Sequence, residues 1–363
     1  MIKYLGSKRA LAGVLGTLAE GSGARTAVDL FTGTTRVAQE FKRRGLSVTA
    51  ADLASYSEVL ARCYIVTDAD AVNADELNAL LAELNALPGR RGYVTETFCE
   101  QARFFQPHNG ERIDAIRDRL VDLADHPLYP VLLTALMEAA DRVDNTTGQH
   151  MAYLKTWAPR ASNQLLLRAP VLIASTGRAV RGDALKVARE LPPSDLVYLD
   201  PPYNQHRYFN YYHIWETLVR WDSPSHYGVA RKREDARADQ NASDFNSRRR
   251  MPAALAALIG EVQAEMVVVS YNDEAWVTPE QITGWLRDAG HASVELLSFD
   301  SRRYIGSRIG IYNHLGEKVG QVRRTRNVEY VFVAGTSDRV GAALAALTER
   351  TTDASGLRRA AAE

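Results

Sequence analysis

Apolar and polar residues alternate between strand and helix spacing in the first part of the chain. Apolar residues with helical spacing run from about residue 8 to residue 18, and a second helical pattern covers residues 35–44. Short apolar runs at residues 26–31 and 46–52, on either side of that second helix, predict two strands. The order strand, helix, strand predicts a βαβ unit and therefore a parallel sheet.

The later part of the chain adds further strands after a long helical stretch. From about residue 68 to residue 142 the apolar residues keep helical spacing, which predicts a mostly helical insertion. Near-continuous Val and Leu runs are typical of central parallel strands that are covered on both faces. Such runs predict strands at residues 170–174, 179–183, 195–200 and 266–271, and an edge hairpin from residues 293–299 and 328–333. The predicted fold is α/β, with a Rossmann-like sheet that carries helices on both faces.

Composition excludes several classes of protein. Of the 363 residues, 46% are hydrophobic and 24% are charged, which is typical of a globular chain and not of a disordered, collagen-like or coiled-coil one. No apolar run approaches the roughly 18 residues that span a bilayer, and the N-terminus lacks the apolar stretch of a signal peptide, which predicts a cytoplasmic protein without a membrane partner. Cys63 and Cys99 form no Cys-x-x-Cys pair, so neither a disulfide framework nor a cysteine zinc site is expected.

Charge is balanced over the whole chain but not along it. The 44 basic residues cancel the 44 acidic ones, whereas residues 301–330 hold seven Lys or Arg residues against two Glu residues. A local basic stripe is one way in which a neutral protein binds nucleic acid, although scattered solvated charges explain the same count equally well. Residues 232–250 and 350–363 are polar or rich in small residues, which predicts loop or disorder.

The motif Asp200-Pro201-Pro202-Tyr203 directly follows the predicted strand at residues 195–200. Loops at the carboxyl ends of parallel strands hold ligands in open α/β sheets, and two prolines stiffen such a loop. A carboxylate and the Pro201 carbonyl can accept both hydrogens of an exocyclic amine, while Tyr203 offers a flat face to a planar base. The motif therefore indicates a site for an aminated heterocycle, with a rigid strand-end turn as the alternative.

A second candidate site follows the first strand, in the turn Thr32-Gly33-Thr34. Gly33 permits a close backbone approach, and Asp52 ends the next strand, where an acidic side chain typically accepts the hydroxyls of a ribose. The pair indicates a nucleoside. The Gly-x-Gly-x-x-Gly pattern that cradles a pyrophosphate is absent, which disfavours a dinucleotide and a dehydrogenase.

These motifs together resemble the Dam-like adenine-specific DNA methyltransferases, which use S-adenosylmethionine. The resemblance rests on the order and spacing of Lys3-Tyr4-Leu5-Gly6-Ser7-Lys8, the Phe31-x-Gly33 turn, Arg181-Gly182-Asp183 and Asp200-Pro201-Pro202-Tyr203. One position departs from the family, because Thr35 stands where a second glycine is common. A hydroxyl at that position is able to cap the helix that follows.

The resemblance implies a role for each matched residue. The cofactor contacts that it implies are Tyr4 and Lys8, with Lys8 near the cofactor carboxylate, Asp29, Phe31 and Gly33 at its methionine end, Asp52 at its ribose and Asp183 at its adenine amine. The catalytic residues are Asp200, Pro201, Pro202 and Tyr203, which would hold the target adenine. No metal is implied.

The resemblance also implies a division of the chain. Residues 1–65 and 170–335 would form the catalytic domain, residues 66–169 an inserted DNA target-recognition region, and residues 336–363 a C-terminal helix and flexible tail. Amide, cationic and aromatic side chains suit base edges, phosphates and unstacked bases, respectively. The DNA-binding residues expected on this basis are Asn145, Tyr153, Lys155, Arg207, Tyr208, Arg323, Arg324 and Arg326. For residues 145–157, a polar loop that leads into a buried strand is the alternative.

The expected reaction is direct transfer of the sulfonium methyl group to the exocyclic N6 amine of an adenine that is flipped out of double-stranded DNA. Two alternatives remain at this level. A methyltransferase acting on RNA or on protein glutamine would share the nucleoside fold and the amine-binding motif. A non-catalytic DNA-binding protein would explain the basic stripe but not the carboxylates at the strand ends. The sequence leaves open whether a cognate restriction endonuclease accompanies the protein.

Overall fold

The structure is a computed structural model of the chain and describes most of its length. The described residues are 2–4, 8–202, 208–237, 243–273, 275–302, 311–312, 318–320 and 326–353, and for 301–302, 311–312, 318–320, 326–327 and 350–353 they are described by their backbone. Among the helices of these residues, none has the length and apolar character needed to cross a membrane.

The strands form one large mixed sheet and two short hairpins. They are β1 (Thr26–Asp29), β2 (Ser47–Asp52), β3 (Arg178–Arg181), β4 (Ser194–Leu199), β5 (His226–Tyr227), β6 (Lys232–Arg233), β7 (Ala264–Asn272), β8 (Ser293–Arg302), β9 (Ile311–Tyr312), β10 (Lys318–Gly320) and β11 (Arg326–Gly335). The large sheet has the order β3-β2-β1-β4-β7-β11-β8. β1, β4 and β7 pair in parallel, whereas β11 is antiparallel to β7 and β8. The predicted α/β fold and edge hairpin are confirmed.

Helices occupy the segments between these strands. They are α1 (Ala12–Gly21), α2 (Arg36–Arg43), α3 (Ser55–Ala61), α4 (Ala74–Ala86), α5 (Pro107–Val121), α6 (Tyr129–Val143), α7 (Ala184–Glu190), α8 (Tyr208–Tyr211), α9 (His213–Arg220), α10 (Met251–Glu261), α11 (Pro279–Asp288) and α12 (Ser337–Asp353). Short π-helical segments occur at Arg62–Val66 and Thr95–Glu100, and Lys8–Ala10 forms a 3₁₀ turn. The helical character predicted for residues 68–142 is therefore confirmed.

Contacts divide the chain into two compact units. Unit 1 comprises residues 1–7, 32–182 and 206–242, and its core includes α6, in which nearly every apolar side chain is buried. The strand predicted at residues 170–174 is wrong. That segment makes only an isolated bridge between Ile173 and Asp68, and Val171 is 81% exposed, whereas a central strand would be covered on both faces. The loop predicted from residue 232 onward is also wrong at its start, where β6 and a 3₁₀ turn (Glu234–Arg237) form.

Unit 2 comprises residues 8–31, 183–205 and 243–363 and contains β1, β4, β7, β8 and β11. β7 lies inside the sheet and is buried from Met266 to Asn272, which explains its continuous Val-rich sequence, and the neighbouring β11 is buried from Val331 to Gly335. A capping box of Thr278 and Gln281 begins α11. α12 packs on α1, where Gly21 allows the close approach of Ala346.

Candidate active site

In unit 2, Asp200 forms part of a buried charge cluster at the end of β4. The Nζ atom of Lys8 lies 3.3 Å from Oδ1 of Asp200 and 3.0 Å from Oε2 of Glu329 on β11. All three side chains are largely shielded from solvent, with exposed fractions of 6% for Lys8, 17% for Asp200 and 14% for Glu329. One ammonium group therefore lies against two carboxylates, and the cluster carries a net negative charge when all three groups are ionised.

The carboxyl group of Asp200 has a raised pKa and a buried oxygen atom. Its pKa is raised from 3.8 to about 6, chiefly by burial; the nearby charge of Lys8 lowers the pKa and that of Glu329 raises it. Its Oδ1 atom is buried and lies 3.3 Å from the Lys8 ammonium, but it has no hydrogen-bond donor of good geometry among the described residues. A buried acceptor without a donor is costly in a folded protein, so this atom is suited to receive an N–H group from a ligand.

The residues around Asp200 are held rigidly. The Tyr198 hydroxyl donates to Oγ of Ser270 at 2.8 Å, inside the sheet. Pro201 is buried, which fixes the carbonyl that follows Asp200, whereas Tyr203 lies outside the described residues. On the neighbouring strand β1, Asp29 is buried. These contacts pre-organise the carboxylate of Asp200 by packing against the central strands.

Phe31 lies in the same unit, just after β1. Its ring contacts Phe245 edge-on, with the ring centroids 5.1 Å apart. Phe31 is only half-buried, so part of its ring is available to a ligand. This is consistent with its predicted place at the cofactor, which stays a prediction because no contact with a cofactor is described.

In unit 1, Asp52 organises the glycine turn at the start of α2. Its Oδ2 atom accepts a hydrogen bond from the Gly33 N–H at 2.9 Å, and its Oδ1 atom accepts one from the Ala54 N–H at 3.0 Å. Burial raises the pKa of Asp52, while these N–H groups act in the opposite direction. A carboxylate has about four acceptor positions, so Asp52 retains capacity for ribose hydroxyls. Gly33 has a φ of +48°, and a Cβ atom there would lie 3.2 Å from the Tyr4 ring.

Two exposed side chains beside Asp52 were not among the predicted site residues. Leu53 is 44% exposed although it is a large apolar residue, and the Arg181 side chain at the end of β3 is 53% exposed. Arg181 donates to Oγ of Ser55 at 2.9 Å. The available signal was positional, because both residues lie at the carboxyl ends of strands, where α/β sheets bind ligands.

Tyr4 lies in an aromatic stack rather than on an open surface. Its ring is nearly parallel to those of Tyr212 and Tyr208, at centroid distances of 4.5 and 5.5 Å. Its hydroxyl is 3.2 Å from that of Tyr56, and burial raises the pKa of Tyr4 well above its ordinary value. Tyr208 is half-buried at the open side of this stack. The predicted roles of Tyr4 at the cofactor and Tyr208 at DNA stay predictions.

Thr35 adopts the left-handed conformation that a glycine would favour, with a φ of 60°. Contrary to the expectation that its hydroxyl caps α2, it makes no capping bond. The hydroxyl instead donates to the Thr34 carbonyl at 2.7 Å and accepts from Nε2 of Gln39 at 2.8 Å. The buried side chain of Gln39 thus holds the turn from inside the helix.

The variant Thr35→Val is expected to destabilise unit 1, because it keeps the side-chain shape but leaves the buried Gln39 amide without its acceptor. An unsatisfied buried donor costs about 1 to 3 kcal/mol of unfolding free energy. Urea unfolding measures the change. The double variant T35V/Q39L removes the orphaned amide as well and is expected to be more stable than T35V. Equal unfolding midpoints for T35V and the parent would show that the hydrogen bond is dispensable.

Asp183 caps the start of α7. Its Oδ1 atom accepts hydrogen bonds from the N–H groups of Leu185 and Lys186 at 3.1 and 3.2 Å. The other carboxylate oxygen is not used by this cap, so the predicted contact with an adenine amine remains compatible with the capping role.

The residues expected to bind DNA have different surroundings. Asn145 is fully buried, and its side chain donates to the carbonyls of Arg103 and Leu154 and accepts from the Ala158 N–H. Its amide is therefore satisfied within the protein, an arrangement that favours a structural role and gives no support to base recognition. Lys155 is exposed, and Tyr153 packs edge-on against Phe104. Arg207, Arg323 and Arg324 lie outside the described residues, and Arg326 is described by its backbone in β11.

The chain is similar to known proteins over most of its length. The family model described as D12 class N6 adenine-specific DNA methyltransferase matches residues 4–283. Type II methyltransferase M.NlaIII of Neisseria lactamica is 30% identical, over 86% of this chain and 95% of that protein. Modification methylase StsI of Streptococcus sanguinis is 25% identical over 89% of this chain and 52% of its own length. Type II methyltransferase M.FokI of Planomicrobium okeanokoites is 28% identical over 74% of this chain and 43% of its own length.

Proposed function

We propose that this chain, which belongs to the D12 class N6 adenine-specific DNA methyltransferase family, binds the target adenine amine through Asp200. The observation that carries the proposal is the buried Oδ1 atom of Asp200, which has no hydrogen-bond donor of good geometry in the described part of the chain. One N6 hydrogen would be donated to Asp200 and the other to the Pro201 carbonyl. These two bonds favour a pyramidal nitrogen whose lone pair is free for attack.

Charge stabilisation is the second contribution that the site makes. The N6 nitrogen becomes positively charged as it gains a methyl group and then loses one proton, for which its hydrogen-bond partner Asp200 is the acceptor. The cluster of Lys8, Asp200 and Glu329 carries a net negative charge. A fixed charge in a site shielded from water stabilises an opposite charge that develops in the transition state. In this proposal the positive charge of Lys8 keeps Asp200 ionised. The resemblance implied a different role for Lys8, at the carboxylate of the cofactor, and the described contacts of Lys8 give that role no support.

The residues of unit 1 fit the nucleoside part of S-adenosylmethionine, which the family uses and which supplies an electrophilic methyl group when bound. Asp52 has free acceptor capacity for the ribose hydroxyls, and the exposed Leu53 offers an apolar surface for the adenine ring. The backbone turn at Gly33 is held by Asp52 and lies against the Tyr4 ring. We therefore retain Asp52 and Gly33 as cofactor residues and add Leu53.

Asp52→Ala is expected to weaken S-adenosylmethionine binding about ten-fold or more, because a hydrogen bond to a charged group contributes roughly 1.5 to 3 kcal/mol. Isothermal titration calorimetry on the purified protein measures the affinity. Unchanged affinity would reassign Asp52 to the turn alone.

Asp52→Ala also removes the hydrogen bonds that hold the Gly33 turn, so a second variant is needed that leaves these bonds intact. Leu53→Ser removes an apolar contact without touching those hydrogen bonds, and it is expected to weaken binding several-fold. Leu166→Ser is its matched control, since Leu166 is a comparably exposed leucine, at 47% against 44%. Equal affinities for the two leucine variants would remove Leu53 from the site.

The reaction is tested by incubating purified protein with genomic DNA and labelled cofactor, followed by sequencing that detects modified bases. We expect N6-methyladenine within one short sequence context. Label found in RNA or protein and not in DNA would instead support the alternatives that the sequence left open.

The names of the relatives as Type II methyltransferases and modification methylases further support a cognate restriction endonuclease as partner. We retain residues 66–169 as the proposed target-recognition region.

A further inference from the structure

The segment after α9 forms a small hairpin with a rigid base. β5 and β6 pair antiparallel, with His226 opposite Arg233 and Tyr227 opposite Lys232. The Arg233 side chain is only 1% exposed, and its guanidinium donates to both carboxylate oxygens of Asp222 at 2.6 Å. It also donates to Asp235, at 3.0 and 2.8 Å. The charge of the buried Arg233 is balanced by these two carboxylates, and its hydrogen bonds anchor the hairpin to the rest of unit 1.

The tip of this hairpin has the opposite character, because it is apolar and exposed. Gly228 and Arg231 turn the chain with positive φ values of 69° and 50°, and Val229 lies between them with 75% of its surface exposed. A single exposed valine is common on protein surfaces, and here it stands at the end of an anchored hairpin that also carries cations.

Cations surround the exposed tip. Arg237 stacks over the Tyr227 ring at 3.6 Å, and Lys232 lies 5.8 Å from the same ring. Arg231 donates to the Gln101 carbonyl at 3.2 Å. None of these three cations has a carboxylate partner in the part of the chain that the structure describes, in contrast to the paired Arg233. The hairpin therefore presents three cations without an ion pair among the described residues beside the Val229 tip, and the same segment also exposes the carboxylate of Glu234.

We propose that residues 226–237 form a DNA-contacting element, with the Val229 tip in a groove of the duplex and Arg231, Lys232 and Arg237 on its phosphates. The inference rests on DNA being the substrate. A two-stranded β-ribbon fits the major groove, and unpaired Lys and Arg side chains complement the phosphate backbone. The stacking of Arg237 on Tyr227 positions a guanidinium without neutralising it, as a phosphate contact requires.

The phosphate contacts are tested with the double variant K232A/R237A. We expect about ten-fold weaker binding to cognate and random duplexes alike, and a log-log salt plot whose slope is flatter by about 0.9 for each lost contact. The control R62A/R287A removes the same net charge at two exposed arginines on other elements and is expected to keep the parent slope. Matching slopes for K232A/R237A and the parent would overturn the proposal.

The tip is tested with Val229→Glu, which places a negative charge where the groove is expected. We expect binding to be about ten-fold weaker or more, whereas Val171→Glu, at a valine with 81% exposure, is expected to bind like the parent. Equal binding by the two valine variants would show that the tip does not meet DNA. The parent protein is assayed for methyl transfer to DNA in parallel. A parent that does not methylate DNA would contradict the proposed function. A parent that methylates DNA, with hairpin variants that bind DNA equally well, would contradict only the hairpin proposal.

A protein partner for the hairpin predicts a different pattern of results. In that case K232A/R237A and V229E would methylate free DNA at the parent rate and with the parent salt dependence. That outcome would overturn a role in DNA binding and leave the tip to a protein contact.

Discussion

Asp200→Asn is expected to abolish methyl transfer and at the same time to stabilise the folded protein. Loss of a positioned proton-accepting group typically lowers a rate by about two to four orders of magnitude. An asparagine retains the shape but lacks the negative charge that faces the developing charge on the amine. Its carbonyl still accepts one hydrogen bond, so adenine binding is expected to fall less than the rate.

The stabilisation follows from the raised pKa of Asp200. Burial moves that pKa from 3.8 in an exposed carboxyl group to about 6 in the fold. Between these pH values the folded state binds more protons than the unfolded state, so this group's contribution to stability falls as the pH rises through that window. Above it the full penalty applies, with an upper limit of roughly 3 kcal/mol for a shift of about two units. Removing the charge removes the penalty.

Asp195→Asn is the matched control at the other end of β4. Burial raises the pKa of Asp195, but hydrogen bonds from Arg25 and Thr26 outweigh burial and leave the pKa below its ordinary value. Its charge therefore stabilises the fold at neutral pH, and D195N is expected to lower the melting temperature while D200N raises it. A folded D200N enzyme with activity within a few-fold of the parent would contradict the catalytic assignment.

Lys8→Met is expected to have the second large effect, because it leaves Asp200 and Glu329 as neighbouring buried carboxylates without a cation. Removing one partner of a buried ion pair typically costs about 3 to 5 kcal/mol of stability. The pKa of Asp200 is expected to rise further, so the acid limb of the pH profile of kcat/KM moves to higher pH. The variant is expected to be less destabilised at low pH, where one carboxyl group is protonated.

The double variant K8M/E329Q separates the two roles considered for Lys8. Neutralising Glu329 removes the like charge, so stability and the acid limb are expected to return toward those of the parent. If Lys8 instead binds the carboxylate of the cofactor, K8M raises the KM for S-adenosylmethionine, the acid limb stays in place, and E329Q rescues nothing. Among the described residues, the charged and titratable groups that interact with Asp200 are Lys8, Glu329 and Tyr198.

Local sequence determined the elements and the places where chemistry is available. The alternation of apolar runs predicted β1, β2, β4, β7 and the hairpin of β8 and β11, because a strand's periodicity depends on residues close in sequence. The same local patterns predicted that Asp52 and Asp200 lie at the ends of strands, and the order of the motifs indicated the methyltransferase family. Each of these inferences needed only the neighbours of a residue along the chain.

Tertiary structure decided which groups meet and which are buried. Lys8 and Glu329 are separated by 321 positions, so nothing local indicated that they bind each other. Asn145 and Arg233 are polar in sequence, yet folding surrounds both with partners that satisfy them. Residues 170–174 have a strand's composition but make only an isolated bridge. Burial and long-range pairing depend on the packing of distant segments, and these set the charge of the Asp200 cluster and the exposure of Val229.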